Sequence, residues 1–451
     1  MNKSTLALAI VAGIVGLPSV QSVSAAGFIE DSKATLGLRN FYFNNDNRDS
    51  QSYSGQTEEW GQGFVLNYSS GFTEGSVGFG VDAIAQIGVR LDGGGRAGKA
   101  GIERTPGQLF PLDSDGSAVD AFSQLGLTAK AKVSKTEARL GTLLPRLPIL
   151  VANDGRLLPQ TFEGGQIISN EIDNLTLTGG LIEHAVGRAS TDGTGLAVAG
   201  GTQESNRFLF AGGDWKVTPE LLAQYYYANL EDYYRQHFAG LTHSLALADT
   251  RSLKTDLRYF RTAAEGANDS LSGRADGYRV NGYTRNNSGK IDNDTWSAAF
   301  TYSAGSHALT LGHQRVAENS NFVQPNQGNL AGSKGAGGAS VYLLTDRQIT
   351  NFARAGERTS FAEYAYDFAA LGVPGLKASL AYLKGSNIQV ANAGDGKEWE
   401  RDLRLDYSLQ EGALKGLSFS WRNASLRSSD LPSQADIDQN RLIVSYSLPL
   451  L

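Results

Sequence analysis

The chain has 451 residues, a formal charge of −6, 54 glycines, 11 prolines and no cysteine, with 5 Trp, 18 Tyr and 19 Phe. An acidic balance is no nucleic-acid footprint, and the missing cysteines exclude a disulfide framework and a thiolate metal site. Length alone admits two or three soluble domains or one large barrel. Period-3.6 segments are absent after the first few dozen residues while short alternating segments recur, so the pattern predicts an all-β protein.

Taken in order, the chain opens with Lys3, a short apolar run from Leu6 to Val15, Pro18, and small residues ending Val23-Ser24-Ala25-Ala26. Charged, apolar and small-residue regions in that order predict a secretory signal over 1–26, cut after Ala25 or Ala26, and a mature domain over 27–451. Loss of Lys3 takes the charge from −6 to −7. No later run offers the ~18 or more apolar residues that a spanning helix needs.

Strand signals then follow in pairs. Lys33 to Phe43 places Leu36, Leu38 and Tyr42 on one face, and Gln62 to Tyr68 sends Phe64, Leu66 and Tyr68 to one side, with a polar loop of about 16 residues expected between them. Val77 to Val89 alternates apolar residues with Gly78, Gly80, Asp82 and Gln86. Leu125 to Val133 does so with Gln124, Thr128, Lys130 and Lys132, and Leu403 to Leu409 with Asp402, Arg404, Asp406 and Ser408. Eighteen such strands are predicted.

The stretch Leu144 to Gly165 fits neither regular period. Pro145, Pro148 and Pro159 each remove a donor, Asn153-Asp154-Gly155 signals a turn, and the leucines are too many for a solvated loop. A long apolar loop is either functional or a buried crossover.

Short turns, such as Val133 to Lys135 and Leu371 to Gly375, interleave with long polar loops near Asp92 to Phe122, Gly187 to Asn206, Gly266 to Asp294 and Glu318 to Arg358. One short rim, one long rim and aromatics near strand ends (Tyr68, Trp215, Trp296, Tyr302, Tyr364, Trp421) predict a transmembrane antiparallel barrel, its long loops outside and its short turns periplasmic. A soluble sandwich would alternate too, but its outward face should be polar, whereas here the charged face opposes an apolar one. In lipid the strands must close, and the charged face then lines water. By parity Arg39, Lys130, Lys132, Arg139, Arg258, Arg404, Arg422 and Arg441 face the lumen; for each, a structural pair with a wall carboxylate is the competing role.

Several phrases resemble the OprD family of substrate-specific outer-membrane porins: Gly27-Phe28-Ile29-Glu30-Asp31-Ser32, Leu38-Arg39-Asn40-Phe41-Tyr42-Phe43-Asn44, Glu59-Trp60-Gly61-Gln62-Gly63-Phe64, Gly372-Val373-Pro374-Gly375-Leu376 and Arg441-Leu442-Ile443-Val444. The resemblance implies an eighteen-stranded barrel in the outer membrane of a Gram-negative bacterium, monomeric or loosely trimeric, among lipid and lipopolysaccharide. It also implies that the third loop folds inward to an eyelet. Asp154 and Arg156 then face the opening or form a local turn salt bridge. The family's ladder of basic residues implies rungs at Lys132, Arg404, Arg422 and Arg441. One family rung near the mouth is absent, since Asn44-Asn45-Asp46 stands where relatives commonly show Asn-Arg-Asp, and Arg48 is a candidate replacement.

Asn153 to Phe162 is more similar to the OccK branch, which implies small anionic carboxylates of cyclic or aromatic kind (benzoate, vanillate), than to the OccD branch for basic amino acids. A barrel hydrolase and an adhesin are the other classes. Five histidines (His184, His237, His243, His307, His313) form no H-E-x-x-H, and no G-x-S-x-G accompanies them, so no catalytic residues, metal or cofactor are expected.

Overall fold

The computed structural model describes residues 27–48, 55–97, 104–328, 330, 338–391, 394–431 and 434–451, so the expected leader lies outside the described residues. Eighteen long strands make the wall: β1 (Lys33–Arg48), β2 (Gln56–Ser69), β3 (Gly78–Asp92), β4 (Ala121–Val133), β5 (Thr136–Leu143), β6 (Thr161–Ile172), β7 (Leu175–Val186), β8 (Phe208–Lys216), β9 (Leu221–Leu230), β10 (Tyr234–Ala248), β11 (Arg251–Ala264), β12 (Asp292–Ala304), β13 (His307–Val316), β14 (Arg358–Asp367), β15 (Leu376–Ile388), β16 (Gly396–Ser408), β17 (Ser418–Ser429) and β18 (Asp436–Pro449). Each pairs antiparallel with its neighbours. The wall closes where β1 meets β18, from Thr35 opposite Pro449 to Arg48 opposite Asp436. Closure leaves no wall edge unpaired, which is the condition for crossing lipid with strands.

The period-2 pattern sorts the faces as expected. Outward Leu125 and Leu127 are 67% and 63% exposed, while their inward neighbours Thr128 and Lys130 are buried. Leucines bared along the belt of a closed wall are solvated by acyl chains, with Trp215, Trp296, Tyr302 and Trp421 on the same face. No helix among the described residues is long and apolar enough to span a membrane. The start of β1, the end of β18 and eight short turns lie at one rim, and nine loops lie at the other.

Three expectations about extent are corrected. The first loop covers only 49–55, because β1 and β2 stay paired from Lys33 opposite Ser69 up to Asp46 opposite Gln56. Polar Asn44 to Asp46 hides a strand end that leaves the lipid belt. The long third loop is shorter than Leu144 to Gly165, since Thr161 to Gly165 pairs with β7 as wall strand. And the seventh loop (317–357) does not simply face outside.

The lumen is largely filled from the long-loop rim. The largest apolar cluster joins Ile149 and Leu150 of the third loop, Leu196 of the fourth (187–207), Ile291 of the sixth (265–291) and Val341 of the seventh to wall residues Phe208, Phe238 and Phe260. β16, β17 and β18 contribute nothing to it. A second cluster holds Leu157 and Leu158 against Phe41, Phe43 and Phe110. The first cluster thus leaves the inner faces of β16, β17 and β18 uncovered, and the second covers part of β1.

Candidate functional site

The third loop (144–160) is built to present its tip. Arg146–Leu147 and Leu150–Val151 make a small hairpin, and Asn153 and Gln160 close the next segment: Gln160 N–H donates to the Asn153 carbonyl at 2.9 Å, and Asn153 N–H to Gln160 Oε1 at 3.0 Å. Asn153 Oδ1 also accepts from Gly155 N–H at 3.1 Å, a side-chain turn that leaves Asp154 and Arg156 projecting. Leu150, Leu157 and Leu158 are buried at the base. Gly63 on β2 lets the loop lie flat on the wall, because a Cβ there would meet the Leu157 carbonyl at 2.9 Å.

At the tip Arg39 Nη1 donates to Asp154 Oδ1 at 2.7 Å and to the Arg156 carbonyl at 2.8 Å, while Nη2 reaches Asp154 Oδ2 at 3.2 Å. Arg156 stacks its guanidinium 4.7 Å from the centre of the Phe43 ring and donates to Gln108 Oε1 at 3.1 Å. Arg188 of the fourth loop donates to Asn153 Oδ1 at 3.0 Å.

The wall opposite carries the basic row. Arg404 lies in register with Arg422, and Arg422 with Arg441, so three guanidiniums sit on adjacent strands ~4.8 Å apart at the backbone. Because barrel strands tilt, a row perpendicular to them climbs along the pore axis and forms a staircase. The next residue in register is Phe43, 5.9 Å from the Arg441 guanidinium, so the row runs on to Arg156.

These arginines differ in what they hold. Arg404 pairs with Asp406, Arg258 with Asp256 at 2.8 Å, Arg139 with Glu137 at 2.6 Å and Arg39 with Asp154. Among the described residues Arg422 makes one side-chain hydrogen bond, to Ser420 Oγ at 3.2 Å. Arg441 donates to Gln439 Oε1 at 2.7 Å and to the Gln348 carbonyl at 2.6 Å. Among the described residues neither these two nor Arg156 and Arg188 has a carboxylate within ion-pairing reach. The Nε groups of Arg156 and Arg188 are shut from solvent and unpartnered. Burial, compounded by the like charges of Arg441 and Arg188, pushes the Arg156 guanidinium well below the usual arginine range, and burial lowers Arg188 to about 10 against the pull of Asp346 and Asp154. Since guanidinium does not give up its proton, such stress is relieved by an anion.

The structure thus gathers Arg39, Arg404, Arg422, Arg441, Asp154 and Arg156 at one constriction. Lys130, Lys132 and Arg139 form a second group toward the short-turn rim. Lys130 spends its three protons on Ser69 Oγ, the Ser70 carbonyl and Asp82 at 2.7–2.8 Å, and Lys132 lies over the Phe72 ring at 5.6 Å. Arg258 stands apart on β11, stacked 3.8 Å from the Tyr342 ring and bonded to the Tyr342 carbonyl, so it braces the seventh loop. Arg48, the candidate replacement rung, ties β1 to Asp438 of β18 at 3.0 Å.

Comparison with known proteins decides the family. The sequence profile described as outer membrane porin, OprD family, matches residues 26–450. Porin D of Pseudomonas aeruginosa is 34% identical over 472 residues, covering 100% of this chain and 99% of that protein. The chain belongs to the OprD family of outer-membrane porins. Its fold is similar to the crystal structure of Pseudomonas aeruginosa OccK8 (OprE), with a TM-score of 0.84, 50% identity, and 94% of this chain and 100% of that one covered. It is also similar to Pseudomonas aeruginosa OpdK crystallised with vanillate (TM-score 0.80, 36% identity, 94% and 100% covered). An OprD porin is a channel of the Gram-negative outer membrane and not an enzyme.

Sequence reasoning missed three parts of this porin's lumen. Arg188 lies in a loop, where no parity rule applies. Glu400, buried on β16, accepts N–H groups from Gln348 (3.2 Å), Ile349 (2.9 Å) and Thr350 (2.8 Å) and so clamps the seventh loop inside the barrel. Glu59 on β2 does the same for Gln108 and Leu109 of the second loop (93–120), at 2.6 and 2.8 Å. The available signal was acid on the inward parity of strands with no basic partner two residues away.

Proposed function

We propose that this porin passes small carboxylates, of cyclic or aromatic kind, through a site framed by Arg156, Arg188, Arg422 and Arg441. One observation carries the reading: four guanidiniums converge on the constriction with no carboxylate in ion-pairing reach, although the other lumenal arginines named above have one. The planar fork of arginine matches a carboxylate edge, and a row of shallow sites lets the solute leave as easily as it enters. Arg404, Arg39 and Arg139 continue the path as paired, weaker rungs, and Lys132, over the Phe72 ring, extends it toward the short-turn rim. The likeness to OpdK, a protein crystallised with vanillate, supports the carboxylate class. A path for basic amino acids has less support, because the acidic wall residues Glu398 and Glu400 are engaged with Arg354 and with the seventh loop's backbone. The same proposal takes 1–26 as a leader removed on export and the working unit as a monomer or loose homotrimer.

The test is radiolabelled benzoate flux and reversal potential for Arg422→Gln and Arg441→Gln in heat-modifiable, folded protein. Loss of one charge-assisted hydrogen bond predicts about tenfold lower benzoate flux and a weaker anion preference for each. Wild-type flux and preference in both variants sink the proposal. Lysine uptake lost while benzoate never permeates assigns the basic amino-acid path.

A further inference from the structure

We propose that Asp154 is a tethered carboxylate ligand: it occupies Arg39 in the empty pore and is exchanged for the carboxylate of each permeating solute. The inference rests on the carboxylate reading above.

The geometry separates this from an ordinary turn contact. The turn is already closed by Asn153 Oδ1 on Gly155 N–H and by the Asn153–Gln160 pair, so it does not need the Asp154 carboxylate. Among the described residues both Asp154 oxygens accept from Arg39 and from no other donor, one on each arm of the guanidinium, at 2.7 and 3.2 Å. That is the end-on fork a solute carboxylate would use. The pair is reachable, with side chains 28% and 47% exposed, and both line a cavity of about 420 Å³ with Asn67, Arg146, Ser418 and Ser445.

Arg39 also has no acid two residues away on its own strand. Arg139, Arg258 and Arg404 each pair with a carboxylate two residues away on the same face, whereas Gly37 and Phe41 flank Arg39 at that spacing. The loop supplies what the strand lacks. When Asp154 leaves, the Arg156 carbonyl still holds Arg39 Nη1 at 2.8 Å, so the fork stays aimed while Nη2 becomes free. An exposed pair of this kind is weak enough for a solute to displace. Asp154 then re-forms the pair as the solute leaves, which speeds release.

The experiment measures benzoate flux against concentration for wild type, Asp154→Asn, Arg39→Gln and the double variant, with Arg422→Gln alongside. Freeing Arg39 in Asp154→Asn should lower the half-saturating benzoate concentration about two- to fivefold and lower the saturating flux by a similar factor, the range set by one exposed ion pair. In the Arg39→Gln background the Asp154 substitution should then change neither quantity. Unchanged half-saturation in Asp154→Asn, with Arg422→Gln still impaired, overturns the tethered-ligand inference and leaves the carboxylate reading standing. An Asp154 effect that persists in the Arg39→Gln background means a loosened loop and overturns it as well. No effect of Arg422→Gln, with Arg441→Gln equally silent, brings down the carboxylate reading itself.

Discussion

The third loop reaches the wall through Leu150, Leu157 and Leu158, which are buried against phenylalanines, whereas the seventh adds to its apolar contacts, Val341 and Leu343 among them, an anchor of its own backbone N–H groups collected by the carboxylate of Glu400. Apolar docking spends no charge, so the third loop keeps Asp154 and Arg156 for the pore. Carboxylate docking spends charge: Glu400 and Glu398 line the lumen by parity yet serve the seventh loop. The seventh loop is also coupled to pH, since its own Asp346 carboxyl group titrates differently in the docked and released states.

Cutting the carboxylate anchor breaks the comparison hardest. Glu400→Ala strands three half-buried donors and should weaken docking of the seventh loop by about 3 kcal/mol. Surface protease on intact cells should then cut within 338–357 and conductance should rise, with barrel heat-modifiability kept. Continued protection of that segment would mean that the carboxylate is not its anchor. The matching cut on the other side is Leu157→Ala, which removes a fully buried leucine at a cost of about 3 kcal/mol. Its effect on open-channel noise and thermal stability should be the same at pH 5 and pH 8, and a pH-dependent loss would remove the distinction between the two loops.

The pH arm can be sharpened at Asp346 in the seventh loop. Loss of solvation among the packed loop atoms, reinforced by Glu400 and opposed by a Val341 N–H, Arg188 and Arg441, pushes its carboxyl from the usual 3.8 up to about 6, although the residue keeps an exposed edge. The docked loop favours the neutral form, so its contribution to docking is full below 3.8 and is lost as pH rises through 6. Over the same interval a fall in pH removes a negative charge beside Arg188 and Arg441. Anion preference, read as reversal potential, should therefore rise a few-fold from pH 7.5 to pH 5, and Asp346→Asn should abolish the step. The smallest effect is expected at Arg404: its exposed pair with Asp406 already meets much of its need, so Arg404→Gln should cost benzoate flux a factor equivalent to less than about 1 kcal/mol, below Arg422→Gln. Equal losses would show that pairing does not grade the rungs.

Much of this site was legible in the residues. Parity put all eight named basic side chains on the inward face, because the side-chain period of a strand is a property of the backbone alone. The same period also tells which arginines are paired on their own strand: Glu137, Asp256 and Asp406 stand two residues from Arg139, Arg258 and Arg404, while Ser420 and Ala424 flank Arg422, and Gln439 and Ile443 flank Arg441. That second reading needs only the spacing already used for the first. Arg188 and Glu400 were out of its reach, since one sits in a loop and the other takes its partners from 50 or more residues away.

What the sequence by itself determined is the closed eighteen-stranded wall, its lipid and water faces, its long and short rims and the Pro-braced third loop, all set by local backbone geometry and the need to pair every strand in lipid. Only the tertiary structure decided that the seventh loop enters the lumen, that Arg404, Arg422 and Arg441 stand in register, and that Asp154 falls on Arg39. Those outcomes join residues from distant parts of the chain, whose meeting depends on strand stagger and on which loop first fills the shared interior, and neither is written in any local period.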